Sequence, residues 1–247
     1  DNEYISRIKT LSLNPEAVEK VSDSFKIIYT PLHGTGNKPV RRILKEIGFK
    51  NVITVKEQEA PDPEFSTVKS PNPEDKSAFS IAIELAKKED VDLIIGTDPD
   101  CDRVGVVVRN LDGEYIVLTG NQTGWLLMEY ILSQKKFAGN LPGNAFVVKT
   151  IVTTELGRVI ADHYGVEMIE VLTGFKFIGE KIKEEDEFGN KKFLFGFEES
   201  YGYLAGTFSR DKDGVVASML IAEMAAFYKA KGMSLYEGLQ ELYKKYG

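Results

Sequence analysis

Short apolar runs alternate with segments of helical spacing along almost the whole chain, and that alternation limits the fold more than any other feature. Phe25 to Tyr29, Asn51 to Val55, Val91 to Ile95 and Val104 to Val108 have the length and branched content of strands. Between the first two, Val40, Ile43, Leu44 and Ile47 recur at helical spacing from about Pro39 to Gly48. Pro15 suits the first turn of a helix over 15–22, and 77–87 repeats the helical pattern. Pro61, Pro63, Pro71 and Pro73 predict an irregular stretch between them, and Asp112-Gly113 is a hairpin-turn signal. After Gly120 the alternation resumes, with helices at 121–132, 154–164, 177–184 and 214–229 and strands at 146–148, 166–171 and 193–197. The economical reading is two successive α/β units with a boundary near residue 119.

A chain of 247 residues is long enough for one or two such units. Its net charge of -7 argues against a general nucleic-acid or membrane-surface binder, because polyanions are repelled. The single cysteine, Cys101, excludes an internal disulfide framework and fits a reducing, cytoplasmic setting. No apolar run approaches the ~20 residues that span a bilayer. The first residues, Asp1-Asn2-Glu3, carry no secretion signal and no initiator methionine, so an excised piece of a longer protein is expected.

Val91 to Ile95 reads as a buried parallel strand, and an acidic loop follows it: Asp98-Pro99-Asp100-Cys101-Asp102-Arg103. Three carboxylates at alternate positions repel one another unless a hard divalent cation such as Mg2+ accepts them as oxygen ligands. Gly96 is expected to let the backbone leave the strand, and Pro99 to stiffen the turn. The loop is no EF-hand, since Arg103 and Arg109 stand where that motif needs glycine and glutamate. Arg103 suits a phosphate, which a guanidinium holds in bidentate fashion. A solvated acidic turn is the plain alternative.

A second loop, Gly196-Phe197-Glu198-Glu199-Ser200-Tyr201-Gly202, combines two carboxylates and a hydroxyl, acceptors that suit the hydroxyls of a sugar. Lys176, in Thr173-Gly174-Phe175-Lys176, opens a helix, where it can meet a phosphate or serve as an acid/base. The Leu32 to Asn37 turn lacks the third glycine of a dinucleotide fingerprint and the spacing of a Walker loop, so His33 is read as structural or supporting.

Together these segments, with Thr30 to Gly36 and Arg210-Asp211-Lys212-Asp213-Gly214, resemble the alpha-D-phosphohexomutase superfamily, in its phosphoglucomutase and phosphopentomutase-like branch. The resemblance runs from about residue 20 to 230. It implies two α/β/α sandwich domains with mixed sheets: 1–119, a metal-binding domain with an N-terminal linker helix, and 120–247, a sugar-binding domain. These correspond to domains two and three of four. It further implies that Asp98, Asp100 and Asp102 hold Mg2+ and that Arg103 supports a phosphoryl group. Glu198 and Ser200 would bind sugar hydroxyls with Glu199 beside them, and Lys176, Thr173, Gly174 and, more weakly, Lys149 would join the same cluster.

Two family parts have no match. Ser70-Pro71-Asn72-Pro73 lacks the histidine that follows the phosphorylatable serine, and no Arg-x-Ser-Gly-Thr phosphate loop occurs. The resemblance therefore implies a fragment that binds metal and a sugar monophosphate or bisphosphate but cannot turn over without domains one and four. A haloacid-dehalogenase-type magnesium phosphatase and a non-catalytic sugar-phosphate-binding module are the competing readings.

Overall fold

The computed structural model describes residues 1–247. Two helices, α1 (Asn2–Lys9) and α2 (Pro15–Val21), precede the first sheet. That sheet joins β1 (Lys26–Thr30), β2 (Asn51–Thr54), β3 (Leu93–Thr97), β4 (Val104–Arg109) and β5 (Tyr115–Val117) in the order β2-β1-β3-β4-β5. β2, β1 and β3 run parallel, connected through α3 (Asn37–Glu46) and α4 (Ser80–Glu89), whereas β4 and β5 are antiparallel additions.

The second unit opens at α5 (Gly120–Phe137), where Thr119 and Gln122 make a reciprocal capping box. Its sheet joins β6 (Ala145–Thr150), β7 (Glu167–Val171), β8 (Lys192–Glu198) and β9 (Gly202–Ala205) in the order β7-β6-β8-β9, with only the β8–β9 pair antiparallel. Helices α6 (Leu156–Tyr164), α7 (Phe175–Glu187), α8 (Gly214–Ala230) and α9 (Leu235–Tyr246) complete it. No helix is long and apolar enough to cross a membrane.

Both sheets are mixed and covered by helices on both faces, the α/β/α arrangement expected. The continuous apolar runs follow from that two-sided cover. Ile27, Tyr29, Leu93 and Ile95 point into one large core, while Ile28 and Ile94 point into a smaller one under α4. In the second sheet Val147 faces the large core, and Phe146 and Val148 face a cluster under α7. The large core is shared between the halves. Helix α8 packs on α2, α3, β3 and β4 of the first unit as well as on β9. It is accordingly buried all round from Gly214 to Ala226, with Glu223 held by the Tyr130 hydroxyl, the Leu13 N–H and Ser12.

Several elements differ from the sequence reading. Gly96 does not release the backbone; it lies inside β3 opposite Gly105 of β4. A Cβ on either glycine would come within 2.6 to 2.7 Å of the Phe79 ring, so the pair makes room for that side chain. Strand β9 and helices α1 and α9 were not anticipated, and α6 begins at Leu156 rather than Thr154.

Candidate functional site

The acidic loop is the hairpin connection between β3 and β4. Its shape comes from Asp98, whose Oδ1 accepts the backbone N–H groups of Asp102 at 3.0 Å and Arg103 at 2.9 Å. The Cys101 N–H closes on the Asp98 carbonyl at 3.0 Å, which puts Cys101 in the left-handed region at φ 61°. From outside, Thr35 holds the loop by donating its N–H and its hydroxyl to the Pro99 carbonyl. His33, in the same supporting turn, has both ring nitrogens engaged, by the Ala60 carbonyl and the Thr67 hydroxyl.

This turn brings carboxylate oxygens of Asp98, Asp100 and Asp102 within 4.8 Å of one another. Burial pushes the Asp98 carboxyl up to about 7; the Arg103 N–H opposes that shift, and the neighbouring Asp102 and Asp100 charges add to it. Arg103 lies alongside, its Nε 3.8 Å from both Asp98 and Asp102 and its Nη1 donating to Glu74 at 2.9 Å. The Arg103 Nε is buried and has no hydrogen-bond partner.

The Glu198–Gly202 segment is the hairpin between β8 and β9, and it sits beside the acidic loop. Arg103 forms a bridge with Gly202, and the Val104 N–H donates to the Tyr201 carbonyl at 3.0 Å. Lys212 closes the gap, with Nζ 3.0 Å from Asp102 and 3.6 Å from Glu198. Burial disfavours its charge, yet Asp102 and Glu198 hold its proton more tightly than usual. Burial likewise pushes Glu198 upward, partly offset by Lys212. Backbone bonds fix the lysine segment: Asp213 N–H to the Tyr203 carbonyl at 3.0 Å and Gly214 N–H to the Cys101 carbonyl at 2.9 Å. Gly202 supplies the remaining room, because a Cβ there would meet the Lys212 stem at 2.3 Å.

The structure thus gathers Asp98, Asp100, Asp102, Arg103 and Glu198 at one place. Lys212 belongs with them and was passed over in sequence, although its segment stood out; a lysine between Asp211 and Asp213 in a glycine-ended loop was the available signal. Glu199 is directed elsewhere, accepting from the hydroxyls of Thr153 and Thr150. Burial would raise its pKa, but its own backbone N–H and the hydroxyls of Thr153, Thr150 and Ser200 hold it below the usual range. Lys149 has no exposed surface and donates to the Thr153 carbonyl and Glu155. Lys176, Thr173 and Gly174 occupy the β7–α7 connection, where Gly174 (φ 119°) caps the helix and the Lys176 ammonium lies 5.0 Å from the Phe177 ring centre. No hydrogen bond or ion pair links these three to the two acidic loops.

Five carboxylates, counting Glu74, face two cations, Arg103 and Lys212. A hard divalent cation fits that excess: three oxygen donors already converge, and one is pushed towards its neutral form without one.

Fold and site together define a protein of two α/β/α units sharing an acidic, oxygen-donor centre at their junction. Residues 2–113 match the family model for phosphoglucomutase/phosphomannomutase, alpha/beta/alpha domain II, and residues 119–246 match that for domain III; the chain belongs to this family. Among its relatives, the phosphoglucomutase of Staphylococcus haemolyticus is 42% identical over 222 residues, covering 90% of this chain and 39% of that protein. The chain therefore spans well under half the length of the relatives it matches. Solved structures agree on the fold. Parafusin (phosphoglucomutase) from Paramecium, in its open form, aligns with a TM-score of 0.73 at 18% identity, over 100% of this chain and 42% of that one. N-acetylphosphoglucosamine mutase of Aspergillus fumigatus, in complex with GlcNAc-6P and magnesium, aligns at 0.61 and 14% identity, over 96% of this chain and 53% of that one.

Proposed function

We propose that this chain supplies the metal- and sugar-binding domains of a magnesium-dependent phosphosugar mutase that interconverts glucose 1-phosphate and glucose 6-phosphate through a phosphoserine and a bisphosphate. Residues 1–119 form the metal-binding domain and 120–247 the sugar-binding domain of a longer, cytoplasmic polypeptide. The observation that carries the reading is the junction itself: three converging aspartates and Glu198 joined through one lysine.

Asp98, Asp100 and Asp102 would hold Mg2+, which when bound offsets the negative charge of a phosphoryl group in transfer. Arg103, whose unpartnered Nε lies 3.8 Å from both Asp98 and Asp102, would bind and orient phosphoryl oxygens. Glu198 and Ser200 accept and donate to sugar hydroxyls. Lys212 carries a proton at Nζ between the two loops and is the group best placed to donate it to the oxygen that leaves the phosphoryl group. Lys176, with Thr173 and Gly174 at the start of α7, offers an exposed cation and free N–H groups to the second phosphate of a bisphosphate.

The phosphorylated serine and the distal phosphate loop lie in other domains on this reading, so the 247-residue chain binds without turning over. Calorimetric titration with MgCl2, then with glucose 1-phosphate, beside a coupled glucose 6-phosphate assay, tests both halves. Binding of both ligands without turnover is expected. Absence of Mg2+ binding sinks the metal assignment, and conversion by this chain alone sinks the division of labour.

A further inference from the structure

Glu199 lies between two proposed sugar ligands, yet its half-buried carboxylate is engaged by hydroxyls of the protein itself. Its Oε2 accepts from Thr153 Oγ1 at 2.9 Å and Thr150 Oγ1 at 3.1 Å, and the two hydroxyls lie 2.6 Å apart. With only two hydroxyl protons, two of these three contacts are hydrogen bonds at any moment, one threonine donating to the carboxylate and the other to the carboxylate or to its partner, so the three groups form one linked set. Its Oε1 accepts from the Ser200 hydroxyl at 3.3 Å, tying that side chain to the same carboxylate.

The turn bearing the threonines is locked in its own way. Lys149 is wholly buried and donates to the Thr153 carbonyl at 3.0 Å and to Glu155 at 2.8 Å, with Glu170 at 3.7 Å. An ammonium without solvent survives only with such partners, and these fix the chain from Thr150 to Glu155. On the other side the Glu199 carbonyl rests against Gly120, where a Cβ would approach it to 2.0 Å.

We infer that Lys149, Thr150, Thr153 and Glu199 form an internal brace that sets the aim of Glu198 and Ser200, making Lys149 and Glu199 positioning residues rather than sugar ligands. This rests on the reading of Glu198 and Ser200 as sugar ligands. It divides the Glu-Glu pair by role: one carboxylate for the ligand, the other for the loop. A brace of this kind raises affinity by sparing the loop the cost of ordering on binding.

The test combines Thr150→Val/Thr153→Val and Glu199→Gln in the 247-residue chain with two readouts: amide hydrogen exchange over residues 198–203, and calorimetric affinity for glucose 1-phosphate in saturating MgCl2. In the double valine variant, exchange over the loop is expected to rise about tenfold and sugar-phosphate affinity to fall about tenfold, with Mg2+ affinity unchanged. Serine at both positions restores both, because it returns the hydroxyls. Thr153→Val alone carries the same direction if the double variant does not fold. Unchanged loop exchange in the valine variants overturns the brace. So does a Glu199→Gln chain that loses affinity while its loop exchange stays at the parental rate, since Glu199 would then be a ligand. If the parental chain shows no affinity for glucose 1-phosphate, the functional reading falls, and the exchange data still decide the brace.

Discussion

The two acidic hairpins that meet at the domain junction use their carboxylates in opposite ways. In the Asp98–Arg103 loop, three carboxylates converge on shared space and one is pushed towards neutrality by burial. In the Glu198–Ser200 loop, one carboxylate faces Lys212 while its neighbour is engaged by the hydroxyls of Thr150 and Thr153. The first loop is left with charge to be met from outside; the second meets half of its own. Proximity in sequence therefore says little about shared role. What separates the two is whether donors lie within reach on neighbouring elements.

The contrast can be broken most directly by charge removal. Asp100→Asn takes one charge from the exposed side of the first loop, and on the proposed metal assignment Mg2+ affinity is expected to fall by about tenfold to a hundredfold. Unchanged affinity by calorimetry would remove the basis for calling that loop a metal station. The second loop should respond to shape instead. Gly120→Ala drives a methyl group into the Glu199 carbonyl and should cost about 1–3 kcal/mol of stability, read from the denaturant midpoint.

A pH series sharpens the first loop further. Burial raises the Asp98 carboxyl from an ordinary 3.8 to about 7. The folded state then binds more protons than the unfolded chain between those values, so the contribution of this group to stability falls as pH rises through that window. Mg2+ needs the ionised carboxylate, so its affinity should climb with pH, by up to about tenfold per unit below 7, and its binding should release protons. Calorimetry in two buffers of different ionisation enthalpy measures that release. A pH-independent affinity between about pH 5.5 and about pH 8 would place Asp98 outside the ligand set.

The smallest effect is expected where the loops touch. Lys212→Met frees the Asp102 oxygen that the ammonium now engages, and Mg2+ affinity should rise about threefold. Sugar-phosphate affinity should fall at the same time. A drop in both would show that Lys212 organises the acidic loop rather than competing for it.

Much of the fold could be read along the chain. Uninterrupted runs such as Leu93 to Ile95 announce a strand buried on both faces, because each consecutive side chain must find a core of its own. The acidic loop was readable for a similar reason, since close-set carboxylates at alternate positions demand compensation wherever the chain goes. Strand β9 is not legible in sequence because Gly202–Ala205 is only four residues long and gains its identity from pairing with β8. Gly96 reads in sequence as the point where the backbone leaves the strand, because sequence shows the missing side chain but not Phe79, which fills the space.

Sequence alone determined the alternation of strands and helices, the charge crowding at Asp98, Asp100 and Asp102, and the family resemblance that links them to Glu198. Those are local properties, set by side-chain period and by like charges a few residues apart. Only the tertiary structure decided that Lys212 joins the two loops, that Lys149 is buried and Glu199 engaged by Thr150 and Thr153, and that α8 ties both sheets to one core. Each of these depends on which donors and acceptors meet across long stretches of chain, and burial makes unpaired groups costly enough that such meetings, not residue type, assign the roles.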